Sequence, residues 1–414
     1  MKTSSNLRKF ILLWAGELIS SVGGGLTSFG LGVYIFRQTG SAAGMALVTL
    51  LGFLPALLLS VPAGVLADRY DRRLLMMIGD GCSALGIIFI LVCMMNGGAT
   101  LAQICTGVLI SSVFSALLEP AFRTTITDML TKEEFSRAGG LISLAGSARY
   151  LFSPILAGFL LTVSDVKLLL VIDICTFFLT VVSAAAVRKS IGKTAAGKKD
   201  GLTDSIREGW RVLRSEKGVL ILVLVSSAVT LFMGMFQILA EPMVLSFSDE
   251  KTLGITETIC ASGMLASGLF LGVRGIKRNF TGIMSISLAA AGIMMIGFGL
   301  FENISTICIS GFLFFAALPF ANNCLDYLTR THIPAEVQGR VWGLVGFLSQ
   351  FGYVIAYAVS GVAADALGAW TGMGVGRGSA VVIQAAGGLM AAIAVGMLFI
   401  RSIRRLDNGT EQTA

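Results

Sequence analysis

The chain has 414 residues, of which 55% are hydrophobic and 13% charged, with 31 Lys and Arg against 24 Asp and Glu. A soluble domain carries about 25% charged residues, so this composition excludes an ordinary water-soluble globule and makes lipid the main solvent. Glycine, at 50 residues, exceeds the usual ~7%, and small residues let membrane helices approach one another closely.

A hydrocarbon core of ~30 Å needs about 20 apolar residues per helical crossing. Twelve such runs stand in the chain, near 10–36, 43–67, 74–95, 99–122, 137–163, 167–188, 217–246, 253–273, 282–301, 304–329, 338–366 and 379–401. The first is too long for a secretory leader and lacks a cleavage-like end, so it is read as a crossing. The expected fold is all-α, with twelve transmembrane helices.

In chain order, the first run carries Glu17 within apolar surroundings. A charge at a helix centre costs ~2.5–3.5 kcal/mol even on a lenient insertion scale, so such a residue has a partner or a task. Between runs two and three stands "GVLADRYDRR" (64–73), with Gly64, Asp68, Arg69, Arg72 and Arg73. Asp68 falls at a helix C-terminus, where the dipole disfavours an acid, and this calls for a partner elsewhere. The fourth run ends in "EPAFRTTI" (119–126), where Glu119 and Arg123 are four residues apart. Such a pair can close along its own helix, for ~0.3–0.5 kcal/mol.

The fifth run contains a second intramembrane charge, Arg149, and the sixth contains Asp173. Counted along the helix rise, Glu17 and Arg149 differ in depth by only ~6 Å. A Glu17–Arg149 pair is therefore expected; paired, Glu17 stays ionised, and unpaired in a dry site it takes a proton. Asp173 is the reserve candidate. The segment 189–216 is the longest outside the runs, and its "TDSIREGWRVLRSEKG" puts Ile206, Trp210 and Leu213 on one face of an interfacial amphipathic helix.

Twenty-six of the 31 basic residues fall at the N-terminus, the C-terminus and the even-numbered gaps between runs, and four in the odd-numbered gaps. By the positive-inside rule both termini are cytoplasmic. The +7 net charge then reflects topology and anionic lipid, and no nucleic-acid partner is implied. The chain also repeats itself. "DYLTRTHI" (326–333) ends the tenth run as "EPAFRTTI" ends the fourth, and Arg330 follows Arg123 by 207 residues. "GVRGIKRNF" echoes "GVLADRYDRR" at an offset of 208. Two six-helix halves follow, 1–188 and 217–414, joined by 189–216.

The motif G-x-L-A-D-R-x-x-R-R between crossings two and three of such halves resembles the major facilitator superfamily. "LWAGELISSVGGGL" (13–26), "TGSAAGMALV" (39–48), "LPALLLSVPAGVLADRYDRR" (54–73) with Asp80 beyond it, and "IPAEVQGRVWGL" (333–344) resemble its drug, macrolide and siderophore exporter branch. The resemblance implies that Asp68 faces Gln338, Gly339 and Arg340, with Gly64 allowing the approach, as a cytoplasmic latch that breaks in the inward-facing state. Cross-half pairing of Glu119 with Arg330 and of Asp326 with Arg123 would make a second gate, set against plain helix-end pairs. "ARYLFSPILAG" (148–158) is similar to the family's antiporter motif at Pro154 and Gly158, but Arg149, Ser153 and Ala157 replace its glycines.

What this implies is a monomeric bacterial inner-membrane transporter that exports lipophilic small molecules by proton-driven alternating access. Its partners are the small-molecule substrate, protons and membrane lipids. The alternatives are a metabolite importer or passive facilitator, and a transport-dead receptor or scaffold. No nucleophile–base or metal constellation stands in the sequence: "GKT" (192–194) lacks the earlier glycine of a phosphate loop, and His332 is the one histidine. No enzyme activity, metal or cofactor is expected. The seven cysteines all lie in apolar runs without a CxxC, which points to buried thiols and no disulfides.

Overall fold

The computed structural model describes residues 6–130, 134–191, 210–211, 214, 217–276, 278–332 and 338–400. These residues form thirteen helices: α1 Leu7–Thr39, α2 Ala42–Arg69, α3 Arg72–Met95, α4 Leu101–Ser115, α5 Leu118–Met129, α6 Phe135–Val163, α7 Val166–Ile191, α8 Lys217–Leu245, α9 Glu250–Arg274, α10 Phe280–Leu300, α11 Ile304–His332, α12 Gln338–Thr371 and α13 Gly374–Met397. Twelve crossings are long and apolar enough to span a membrane, with α4 and α5 sharing one, Leu101–Ile126. The fourth run is thus broken where the sequence suggested continuity. Pro120 has no N–H to give the Ala116 carbonyl, and it sits in the first turn of α5, where proline is tolerated.

Local chemistry sets the other ends. Gly40 adopts φ 60°, ψ 22°, and its N–H returns to Phe36 O, ending α1. Thr100 and Gln103 close a capping box on α4. Asp71 caps α3 by accepting from Arg73 N at 3.1 Å and takes the Arg188 guanidinium of α7 at 2.7 Å. Burial alone would raise the Asp71 pKa. The hydrogen bond and charge of Arg188, with the backbone N–H groups of Arg73 and Leu74, outweigh it and hold the carboxyl below its ordinary value. A depressed pKa means stability present above the unfolded value, ~3.9, and lost as pH falls through the folded one. Asp71→Ala is expected to lose about 2–3 kcal/mol at neutral pH, through the lost cap and the abandoned Arg188. Melting of the detergent-purified protein at pH 7 and pH 3 checks this, and the two proteins should converge at the lower pH.

The chain forms two compact units. The first comprises Met1–Gly40, Leu47–Lys198 and Glu250–Ile255, and the second Ser41–Ala46, Lys199–Asp249 and Thr256–Ala414. Within the first, α1 packs on α6 and α7, and α3 on α4 and α7. Within the second, α8 packs on α12 and α13, and α10 on α11 and α13. Counted from the start of each half, these are the same partners, a packing parallel to the repeated strings.

Glycines sit where backbones meet. A Cβ on Gly86 of α3 would strike the Gly107 carbonyl of α4 and lie 2.7 Å from Ser111 N; one on Gly107 would lie 2.6 Å from Gly86 O. Gly292 and Gly387 make the same reciprocal approach between α10 and α13. In the second unit Phe236 gathers Phe298 and Phe314 at centroid distances of 4.6 and 4.4 Å. The first turn of α2 is capped by Asp365 of α12, which accepts from Ser41 Oγ at 2.6 Å, Ala42 N at 2.9 Å and Ala43 N at 3.1 Å. Gly361, one turn earlier on α12, leaves the room: a Cβ there would lie 2.6 Å from Ala42 O. Outward-facing residues such as Val273, Leu269 and Trp370 are strongly exposed apolar groups, as a lipid-facing surface requires. Of the cysteines, Cys260 and Cys324 are buried, four are half-buried, and Cys175 is exposed, so burial does not hold for all seven.

Candidate functional site

The first unit carries a polar seam inside an apolar bundle. On α7, Asp173, Thr176, Thr180 and Ser183 are all buried. Their spacing of three and four residues puts them on one helix face. The glycines of α1 make room for that face. A Cβ on Gly23 would strike Thr176 Oγ1 and lie 2.9 Å from Asp173 Oδ1, and one on Gly16 would lie 2.7 Å from Ser183 Oγ. Gly23 of the "GGG" at 23–25 therefore has a local reason, since α1 gives up a side chain there so that α7 can bring in an acid and a hydroxyl; Gly25 makes the same room for Ser153 of α6, and a Cβ on Gly24 would meet nothing within 4 Å.

Asp80 of α3 completes the seam. It is 2% exposed, shares a side-chain hydrogen bond with Thr180, and lies within electrostatic reach of both Glu17 and Asp173. Glu17 of α1 is half-buried, and its Oε2 is shielded from solvent without a hydrogen-bond partner. Thr176 Oγ1 donates to Asp173 O at 2.7 Å and approaches Asp173 Oδ1 at 3.4 Å.

Arg149 does not pair with Glu17. Its Nη2 donates to Ser28 Oγ at 3.2 Å, and its charge reaches Asp173. The register of α6 on α1 explains the difference. Trp14 Nε1 donates to Leu141 O at 2.6 Å, Ser21 Oγ to Ala145 O at 3.1 Å, and Ser153 Oγ to Val22 O at 3.0 Å. Glu17 is thus level with Leu141–Ala145, while Arg149 meets α1 eleven residues further on, ~16 Å by helix rise. The reserve candidate Asp173, and not Glu17, is the acid that Arg149's charge reaches.

The motif residues are placed as follows. Arg72 Nε donates to Ala67 O at 3.2 Å and its Nη1 to Thr124 O at 3.4 Å, which ties the motif to α5. Arg73 is 2% exposed and Arg69 is exposed. Among the described residues, a Cβ on Gly64 would meet nothing within 4 Å. The side chains of Asp68, Arg330, Gln338 and Arg340, and Gly339 with them, lie outside the described residues, as does most of 189–216. Arg123 closes on Glu119 of its own helix, Nε to Oε1 at 2.9 Å, both exposed; Asp326 of α11 is exposed. Pro154 and Gly158 of α6 pack against the start of α9, where a Cβ on Gly158 would lie 2.7 Å from Glu250 O and one on Gly254 would strike Pro154 O. That is a backbone-to-backbone packing contact.

Three acids escaped a functional reading of the sequence. Asp80 stood only as a motif neighbour. Glu241 of α8 and Glu257 of α9, in the second unit, are half-buried and close enough for their charges to interact. The criterion that singled out Glu17, an acid inside an apolar run, also picks these out. A cavity of about 730 Å³ opens in the first unit beside Tyr34, Arg37, Met95, Asp165, Lys167 and Glu250. Its charges are already matched, Arg37 with Glu250 and Lys167 with Asp165. Among the described residues no three His, Cys, Asp or Glu stand together as a metal-ligand set.

Comparison with known proteins supplies the context. The chain is 27% identical over 417 residues to macrolide efflux protein A of Streptococcus pyogenes, covering 96% of this chain and 97% of that protein. It is 23% identical over 382 residues to multidrug efflux pump Tap of Mycolicibacterium fortuitum, covering 88% and 91%. Among solved structures, the peptide-transporter-family protein PepTSo superposes with a TM-score of 0.77 at 12% identity, over 96% of this chain and 98% of that one. A bacterial homologue of the iron transporter ferroportin gives 0.73 at 14%, over 95% and 99%. At these identities the two structures speak to fold alone. With twelve apolar crossings, a fold shared with transporters, and a match to the family description over residues 13–357, the chain belongs to the Major Facilitator Superfamily.

Proposed function

We propose that this transporter exports lipophilic or amphipathic small molecules of the macrolide type, driven by inward proton movement through alternating access. The likeness to macrolide efflux protein A along nearly the whole chain supports the export reading. The observation that carries proton coupling is a set of acids inside apolar crossings that, among the described residues, take part in no ion pair: Glu17 with its orphan Oε2, and the buried Asp80 and Asp173, the last within reach of Arg149's charge. A buried carboxylate without a cation is costly, and holding helices together would need only amides. The same reading puts both termini in the cytoplasm of a bacterial inner membrane and treats 1–188 and 217–414 as rocking halves linked by 189–216. Asp68 would latch against 338–340, Glu119, Arg123, Asp326 and Arg330 would form the second gate, and the working unit is a monomer.

Everted membrane vesicles test it. Energised vesicles should accumulate radiolabelled erythromycin, and a proton ionophore should abolish the accumulation. Equilibration without accumulation would make the chain a passive facilitator, and binding without flux would make it a receptor.

A further inference from the structure

The seam of the first unit has the layout of a conduit. With the basic loops inside, α7 begins at the outer surface, and Asp173 lies seven residues in, ~10 Å deep. α3 begins at the inner surface, and Asp80 lies eight residues in, ~12 Å from that side. Between them run Thr176 and Thr180, one helical turn apart, about 5.4 Å, a gap that one water spans with two hydrogen bonds. Asp173 and Asp80 are 1% and 2% exposed. None of the ion pairs among the described residues involves either. Two further groups are shaped for an occupant. Thr27 Oγ1, on a residue only 6% exposed, lies beside the Asp173 carboxylate yet completes no hydrogen bond of standard geometry, and Glu17 Oε2 is similarly unmatched.

We propose that the coupling proton moves within the first unit along this seam, entering at Asp173, passing the Thr176 and Thr180 hydroxyls to Asp80, and being held at Glu17. This rests on the proton-driven reading above. At each hop a carboxylic acid or water gives a proton to a hydroxyl oxygen, and that hydroxyl gives its own proton onward, so atoms and charge balance and only one charge moves. Thr180 can serve this step by rotation: its hydroxyl rests on Phe177 O at 2.8 Å and lies within side-chain reach of Asp80, so it accepts on a lone pair and turns to Asp80 to give up its own proton. Among the described residues, the charges that reach the path from outside it are Arg149 of α6 at Asp173 and Glu119 of α5 at Glu17. The path runs through the packed interior of one six-helix bundle, so proton and substrate need not share a site.

The full chain in proteoliposomes distinguishes the outcomes, with radiolabelled erythromycin as the probe. Uptake driven by an imposed pH gradient is compared with exchange at equal pH. Asp80→Asn and Asp173→Asn should lower driven uptake about tenfold or more and leave exchange near wild type. Thr180→Val, which keeps shape and removes the hydroxyl, should slow driven uptake and shift its pH profile, and Thr180→Ser should restore both. Driven uptake at the wild-type rate in the Asn variants, or a Thr180→Val variant with an unchanged pH profile, overturns the conduit. So does an equal loss of uptake and exchange in the Asn variants with Thr180→Val unaffected, which would mark the seam as structural. A wild-type protein that exchanges but ignores the pH gradient overturns the proton-driven reading itself.

Discussion

Glu17→Gln is expected to abolish accumulation against a gradient while preserving exchange down one. Glutamine keeps the size and hydrogen-bonding capacity of the side chain but cannot titrate. Glu17 sits on α1 between the Trp14–Leu141 and Ser21–Ala145 contacts that fix α1 on α6. The backbone around it is held whatever the side chain's charge. Its Oε2 has no hydrogen-bond partner to lose, so the amide leaves no group newly orphaned. The charges within reach of its own are acidic, those of Glu119 and Asp80. Neutralising it removes repulsion rather than attraction, and the variant should be at least as stable as the parent. Loss of uphill transport by about tenfold or more with unchanged melting would therefore be a coupling defect. Everted vesicles measure accumulation and exchange, melting in detergent measures stability, and uphill pumping at the normal rate would remove Glu17 from the proton path.

The second large effect concerns the crossing of α3 and α4. Gly86→Ala adds one carbon, and that carbon would collide with the Gly107 carbonyl and approach Ser111 N at 2.7 Å. Both obstacles are backbone, so no rotamer change relieves them. The helices must separate, which also disturbs the buried Ser83 hydroxyl that gives to Gly79 O at 2.6 Å and Ser111 O at 3.0 Å. We expect a loss of about 2–3 kcal/mol, the upper range for overpacking. Gly24→Ala is the control, because a Cβ there meets nothing within 4 Å and alanine in a helix gains up to about 1 kcal/mol over glycine. Thermal melting in detergent reads both. Equal melting temperatures would mean that the crossing can slide open at little cost.

Much of the architecture was legible in the sequence because membrane burial imposes a coarse rule. Apolar runs of crossing length need no tertiary information. The fourth crossing shows where that rule stops: hydropathy runs straight through Ser115–Leu118, while Pro120 breaks the hydrogen bonding. The Glu17–Arg149 pairing failed for a related reason. Depth counted from helix ends gives height, but it gives neither tilt nor register, and the register was set by Trp14, Ser21 and Ser153 reaching backbone carbonyls. Asp80 needed the fold most. An acid eight residues into a helix that opens with two arginines reads as part of a charged end. Only packing against α7 shows that its neighbours include Thr180 and two other acids.

The Asp365 cap has a bearing on how the molecule is made. The donors of the first turn of α2 come from Ser41, Ala42 and Ala43, and their acceptor is 324 residues downstream of Ser41. At a synthesis rate of ~5–20 residues per second, that carboxylate is translated roughly 15–65 s after the turn it completes. Until then α2 holds its place with an open N-terminal turn, satisfied by water or headgroups at the bilayer edge. The nascent chain must tolerate that unfinished end through the insertion of nine later helices, and a ribosome pausing before residue 365 would prolong the exposure.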